Sequence, residues 1–157
     1  DYIFRSQLVK GYVHDMGAAM LGGVGGHAGI FANANDLAKL MQMYLNRGIY
    51  GDERYINSST IDLFTKAHFL DNNNRRGLGF DKPEPIKGGP ACREASLSSF
   101  GHTGFTGTIA WADPETELLY IFLSNRIHPD ADNLKLLKMN VRTEIMKEIY
   151  KNFGKKN

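Results

Sequence analysis

A single cysteine, Cys92, stands among 157 residues. No disulfide can close within the chain, and no cluster of thiolates can hold zinc. Charge of one sign is also lacking. The 19 Lys and Arg nearly balance the 17 Asp and Glu, leaving a formal net charge of +2. With no basic run longer than the Lys155, Lys156 tail, neither a nucleic acid nor an anionic membrane surface is implied as partner. Long apolar runs are missing, so no segment is expected to span a bilayer, and no basic-then-apolar leader reads as a signal peptide. An initiator methionine is missing too: the chain opens on Asp1, and we expect it to be a piece of something longer.

What is present reads as α+β. Residues 1–32 form a glycine-rich region, in which "LGGVGGHAG" cannot sustain a regular element for long and predicts a tightly turned, ordered loop. The part from 33 to 70 reads as helical. In "NANDLAKLMQMYLNRG" the residues Leu37, Leu40, Met41, Tyr44 and Leu45 fall at helical spacing, with Asn33 and Asp36 as a capping arrangement and Gly48 as the stop. "INSSTIDLFTKAH" is a second, shorter helix, burying Ile61, Phe64 and Ala67, and "DNNNRR" is a polar loop.

From 77 to 157 the pattern is that of an antiparallel sheet plus a C-terminal helix. "GLGFD", "SLSSFGHTG", "GTIAWAD" and "ELLYIFLSNR" read as strands, about three of them forming the main sheet. "DPET" joins the last two as a hairpin, and residues 133–153 predict one long helix with Leu134, Leu137, Val141, Ile145 and Ile149 buried. The segment 118–124, "LLYIFLS", is apolar without interruption. It belongs inside a sheet with both faces covered, flanked by "GTIAWAD" on one side. Its second neighbour is either "GLGFD" looping back, or a strand from absent sequence or from a second copy of the chain.

Several chemistries can be set aside. "GVGGHA", Gly23 to Ala28, fits a relaxed dinucleotide fingerprint, but no strand leads into it and a helix occupies the next twenty residues. Neither glycine-rich stretch carries the Lys-Ser/Thr pair of a phosphate loop, and no cofactor is expected. Among His14, His27, His68, His102 and His128 no i, i+4 pair with an intervening glutamate occurs, so no metal site is expected. His14 and Asp15 read as a carboxylate holding a loop together, and Arg126 with His128 as the anchor of a chain reversal. "FGHTG" differs, because glycines flanking a polar pair on a strand leave its backbone open to a ligand. His102 and Thr103 would face opposite ways, and N–H groups near Gly104 and Phe105 could donate to an extended substrate or an oxyanion. A plain hairpin turn at Gly104 accounts for the same residues.

The run "GYVHDMGAAMLGGVGGHAGIFANANDLAKLMQMYLNRG", followed by "GLGF", "FGHTGFTGTIAWADPE" and "LSNRIHP", resembles the C-terminal part of the β-lactamase-related serine hydrolases. That group comprises class C β-lactamases, penicillin-binding proteins and esterases, and the likeness is greatest to D-alanyl-D-alanine carboxypeptidases of penicillin-binding type. It covers nearly the whole chain from Gly11 onward. The resemblance implies a partial β-lactamase/transpeptidase-like fold, an antiparallel sheet flanked by helices. It makes His102, Thr103 and Gly104 the third motif of the family, on the strand bordering the active site. His102 and Thr103 would then orient a substrate carboxylate, the Phe105 N–H would supply the strand donor of the oxyanion hole, and Gly104 would keep the approach clear. His14, Asp15 and His27 are carried as candidates to line the cleft. With His rather than Lys at 102, a neutral imidazole attracts a carboxylate less than an ammonium does.

Two family motifs have no counterpart. No Ser-x-x-Lys occurs; Ser6 to Lys10 is one residue too long to place both side chains together, so the catalytic nucleophile is absent from this chain. Tyr-x-Asn occurs at Tyr44 and Tyr150, both on amphipathic helices downstream of the glycine loop, and both read as coincidence. The chain is therefore expected to be the C-terminal fragment, residues 1–157, of one serine hydrolase domain, inactive alone. Its partners would be the missing N-terminal half or a second copy, and its parent's substrate a D-Ala-D-Ala peptide, a β-lactam or a small ester. The resemblance implies an extracytoplasmic, periplasmic or cell-surface location. The rival reading is a non-catalytic module that binds peptidoglycan or a partner domain, appended to a glycoside hydrolase. The acyl-hydrolase reading requires His102 to be exposed and the 118–124 segment to have an open side.

Overall fold

The computed structural model describes residues 3–84, 86 and 89–153, in two compact units, Asp1–Asn33 and Ala34–Asn157. In the first unit the glycine-rich region holds one short helix, α1 (Met16–Met20). Asp15 is its N-cap, the carboxylate accepting from Gly17 N at 2.7 Å and Ala18 N at 3.3 Å, which satisfies two of the donors a helix start leaves open. Arg5 reaches back to the carbonyls of Val13 and His14 at 2.7 and 2.6 Å and closes the preceding loop. Asp15 therefore organises a loop, as its position beside His14 suggested.

The second unit is mixed α+β. Its first helix, α2 (Ala34–Leu45), stops at Gly48, where φ is +91° and a Cβ would overlap the Ile56 carbonyl, so only glycine turns the chain here. A short hairpin not foreseen from the sequence follows, β1 (Ile49–Tyr50) with β2 (Glu53–Arg54), and then α3 (Ser58–Thr65), which buries Ile61. Phe64 is exposed rather than buried. Arg47 and Asp62 pair across this region.

The main sheet has three antiparallel strands in chain order, β3 (Phe100–Thr103), β4 (Ile109–Asp113) and β5 (Leu118–Phe122). Phe100 pairs with Ala112, His102 with Ala110, Trp111 with Tyr120 and Ala112 with Leu119. Alternation along β4 and β5 then divides the core. Ile109, Trp111, Leu118 and Tyr120 pack with Met146 and Tyr150, while Ala112 and Phe100 pack with Met41, joined by Tyr44, Phe80 and Ile121. The unbroken apolar stretch at 118–122 is thus explained: helices cover both faces of the sheet, each buried large side chain contributing roughly 1.5–3 kcal/mol.

Three expectations need correction. "GLGFD" forms no strand and does not flank β5; it meets the sheet at a single bridge, Asp81 to Gly101, on the outer side of β3. Its hydrogen bonds go elsewhere, Gly77 N to Phe80 O at 3.0 Å and Leu78 N to Phe64 O at 2.8 Å. "SLSSFGHTG" is extended only from Phe100, because Ser96 and Ser99 bond locally: Ser99 Oγ donates to Ser96 O at 2.6 Å and Ser96 Oγ accepts from Ser99 N at 3.2 Å. The C-terminal helix is two helices, α4 (Lys135–Lys138) and α5 (Val141–Phe153), separated at Asn140, whose φ is +50°. On α5 the buried side chains are Met146 and Tyr150, one position beyond the expected Ile145 and Ile149. Among the described residues β5 pairs only with β4, so its outer edge is open.

Behind β4 lies a buried polar cluster. Asp113 accepts from Ser96 N at 2.9 Å, Ser96 Oγ at 2.5 Å, Glu115 N at 3.0 Å and Tyr150 Oη at 2.6 Å. Burial would raise its pKa, but those donors, led by Ser96 and Tyr150, outweigh burial and hold it below the ordinary carboxylate value. Lys82 is nearly buried, donates to Ser98 O at 2.8 Å, and has its pKa lowered to about 8 by burial, with Asp113 pulling the other way. Burial likewise pushes the Cys92 thiol up to about 11. That marks a structural cysteine rather than a reactive one.

Candidate functional site

His102 and Thr103 end β3, and His102 is exposed while Gly101 before it is buried. The imidazole is held on both nitrogens. Nδ1 lies 2.7 Å from Thr103 O, and because a carbonyl only accepts, Nδ1 carries the proton. Nε2 faces Arg76 Nη1 at 3.4 Å, and because a guanidinium only donates, Nε2 is the acceptor of that contact.

Past Thr103 the chain makes a tight turn. Gly104 N donates to Thr108 O at 2.9 Å and Gly107 N to Gly104 O at 2.9 Å. A Cβ on Gly104 would overlap Thr108 Oγ1, so the glycine is required by the turn itself. Its N–H is spent inside the loop, so Gly104 itself offers no strand-end donor.

Two arginines clamp this turn from behind. Arg126 Nε donates to Phe105 O at 2.9 Å, its Nη1 to Ala131 O at 2.9 Å and Asn133 O at 3.3 Å, and its guanidinium sits 4.7 Å from the Phe105 ring centroid. Arg142, on α5, donates to Thr108 O at 2.9 Å. Ser124 Oγ and Arg126 N both donate to Thr106 O, at 3.1 and 3.0 Å. The anchoring role read for Arg126 from sequence is therefore met at a specific place, the loop that continues the His-Thr-Gly strand.

Arg76 was missed in the sequence, where "DNNNRR" passes for a polar loop. That loop is held in place. Arg75 Nε donates to Lys82 O at 2.8 Å and its Nη2 lies 2.9 Å from Asp81 Oδ1. Arg76 N donates to Asn74 Oδ1 at 3.0 Å. Two adjacent arginines just before a glycine-rich turn were the available signal.

His14 and His27 belong to the first unit, Tyr44 and Tyr150 to the second. In the first unit His14 is exposed and its carbonyl is taken by Arg5. The His27 ring lies beside Gly17, where a Cβ would come 3.1 Å from its Cδ2 and 2.9 Å from Asp15 Oδ1. Tyr44 stacks edge-on against Phe80 at 5.4 Å, and Tyr150 is buried on Asp113, so both Tyr-x-Asn tyrosines are packing residues. Among the described residues no three His, Cys, Asp or Glu side chains converge as a metal ion would need.

The family model described as Beta-lactamase matches residues 4–140. A protein of Escherichia coli (strain K12) described as "Putative D-alanyl-D-alanine carboxypeptidase" is 40% identical over 134 residues, covering 83% of this chain and 30% of that protein. Proteins of the same description from Escherichia coli O157:H7 and Salmonella typhi are 41% and 37% identical, covering 83% and 84% of this chain and 30% and 31% of theirs. The chain thus spans about 30% of the length of these curated relatives.

Proposed function

Because this chain belongs to the beta-lactamase family, a family of serine hydrolases, we propose that β3 and the turn after it form one bank of an acyl-hydrolase groove. In the full protein that groove acts on a D-Ala-D-Ala peptide, a β-lactam or a small ester, outside the cytoplasm. The observation that carries this reading is the exposed His102 at the end of β3, beside a turn clamped by Arg126 and Arg142.

The chemistry divides between the two banks. A serine hydroxyl attacks the scissile carbonyl, its proton passes to a base, and the carbonyl oxygen becomes an oxyanion in the tetrahedral intermediate. This chain contributes the receiving side in this reading: His102 and Thr103 align the substrate's carboxylate end, and the Phe105 N–H is the donor assigned to the oxyanion. A donor in that role is worth about 10²–10³ in rate only if it is fixed beforehand, and the bond from Gly107 N to Gly104 O, at 2.9 Å, holds the peptide plane that carries the Phe105 N–H. The attacking bank, with Ser-x-x-Lys and Tyr-x-Asn, belongs to the part of the relatives this chain does not cover, and the open edge of β5 is where further strands of that part add to the sheet.

The test is turnover of nitrocefin and of a chromogenic ester by the purified chain. No hydrolysis above buffer is expected. Hydrolysis that copurifies with the chain and survives a second, orthogonal purification would overturn the division of labour proposed here.

A further inference from the structure

We propose that the loop from His68 to Asn74 is a saccharide-binding site, taking the apolar face of an N-acetylated sugar on Phe69 and its polar rim on the side chains of Asp71, Asn72 and Asn73. The inference is independent of the acyl-hydrolase reading above, since it concerns another segment and another ligand.

The stretch "HFLDNNN" puts two rings and a leucine directly before four consecutive Asp and Asn residues. Such residues favour turns, because their short side chains tolerate the left-handed backbone and bond to nearby backbone groups. The chain turns here accordingly. Asn72 N and Asn74 N both donate to Phe69 O, at 3.0 and 3.1 Å, Asn73 N donates to Leu70 O at 2.9 Å, and Asn73 has a φ of +54°. An antiparallel bridge from Phe69 to Asn74 closes the loop at its base. Both ends are fastened. His68 Nε2 donates to Leu63 O at 2.6 Å in the last turn of α3, and Asn74 Oδ1 accepts from Arg76 N at 3.0 Å. The tip is therefore ordered by its own backbone before any ligand arrives, which lowers the ordering cost of binding.

The side chains left outside select the ligand. Phe69 is 46% and Leu70 55% exposed, and the Phe69 ring stands 6.1 Å from the His68 ring at 55°. Asn74 spends its side chain on Arg76, whereas those of Asp71, Asn72 and Asn73 have no partner among the described residues. An apolar protein surface laid on the rings would strip water from these polar groups and offer them no hydrogen bond in return. An anion would meet Asp71 with no Lys or Arg between 68 and 74 to offset it. A sugar ring satisfies both conditions. Its C–H face packs on an aromatic ring, while the hydroxyls around its edge donate to carboxylate and amide oxygens and accept from amide N–H groups. An acetamido group matches an Asn side chain donor for acceptor, and this favours the N-acetylated class.

The experiment is an NMR titration of the dilute ¹⁵N-labelled chain with chitotetraose and with cellotetraose, which lacks acetamido groups, for the native sequence, Phe69→Ala, Phe69→Leu and Asn72→Ala. With chitotetraose the native chain is expected to show shifts centred on residues 68–74, at an affinity about tenfold above that for cellotetraose. Phe69→Ala and Phe69→Leu should each weaken chitotetraose about tenfold or more, and Asn72→Ala should narrow the gap between the two sugars. Chitotetraose shifts centred elsewhere, or none up to the solubility limit, overturn the site. Binding unchanged in Phe69→Leu overturns the role of the ring, and equal affinity for both sugars overturns the N-acetylated class. Broadening at 68–74 that grows with protein concentration and ignores both sugars assigns the patch to a second copy of the chain and overturns the proposal. Should Phe69→Ala fail to fold, Phe69→Leu, which keeps an apolar side chain in place, decides the matter.

Discussion

Asp113 and Tyr150 show at the scale of single residues how this protein keeps a charge away from water. The carboxylate has no exposure, yet four donors converge on it, and the Tyr150 hydroxyl is one of them at 2.6 Å. Removing that donor leaves the charge buried and under-satisfied, so Tyr150→Phe should destabilise the chain by about 1.5–3 kcal/mol in urea unfolding. The pH dependence follows from the sign of the shift. The folded pKa of Asp113 lies below its unfolded value of about 3.9, so its contribution is complete above that value and disappears as pH falls through the folded one. Asp113→Asn should therefore be less stable at pH 6 but lose less stability between pH 5 and 2 than the native chain, read from urea midpoints across that range.

Among the elements, α5 separates what was legible in the sequence from what was not. The helix itself was readable from its period, but two adjacent stripes compete, Ile145 with Ile149 and Met146 with Tyr150, and period alone cannot choose between them. The choice is made by the far side of the interface: Tyr150 must reach Asp113, and the break at Asn140 resets the phase carried over from α4. Met146→Ala should cost about 2–5 kcal/mol, whereas Ile145→Ala, at a position 39% exposed, should cost under about 1 kcal/mol in the same thermal or urea assay. A larger loss from Ile145→Ala than from Met146→Ala would overturn this assignment of the stripe. The strands β4 and β5 and their "DPET" hairpin were readable, since local turn chemistry and apolar alternation decide them. "GLGFD" was not, because its backbone bonds to Phe64 and to Gly101, partners that no local rule supplies. The same holds for the site: His102 to Phe105 stand together in the sequence, while Arg76 joins them only through the fold.

For the molecule as a whole, the open side of the sheet has the largest consequence. The β5 strand carries no proline, glycine or charge along its free edge, the devices that usually protect such an edge. On α5, Ile145 and Phe153 are exposed as well, Phe153 at 51%. A chain covering 30% of its relatives presents these surfaces bare, and we expect it to self-associate as concentration rises. Sedimentation velocity over a hundredfold concentration range should show mass growth for the native chain and a monomer for Leu123→Lys, at an exposed position just past β5, with Ile145→Glu. A monomeric native chain at the highest concentration would count against bare surfaces of this kind.

The strands β3, β4 and β5 also neighbour each other in the order they are translated. Each pairing closes a loop of only a few residues, so its entropic toll is small and its formation rapid. On a ribosome, this sheet would assemble as its own residues emerge, and any earlier-made strand would find a finished template waiting rather than a partner still to be shaped.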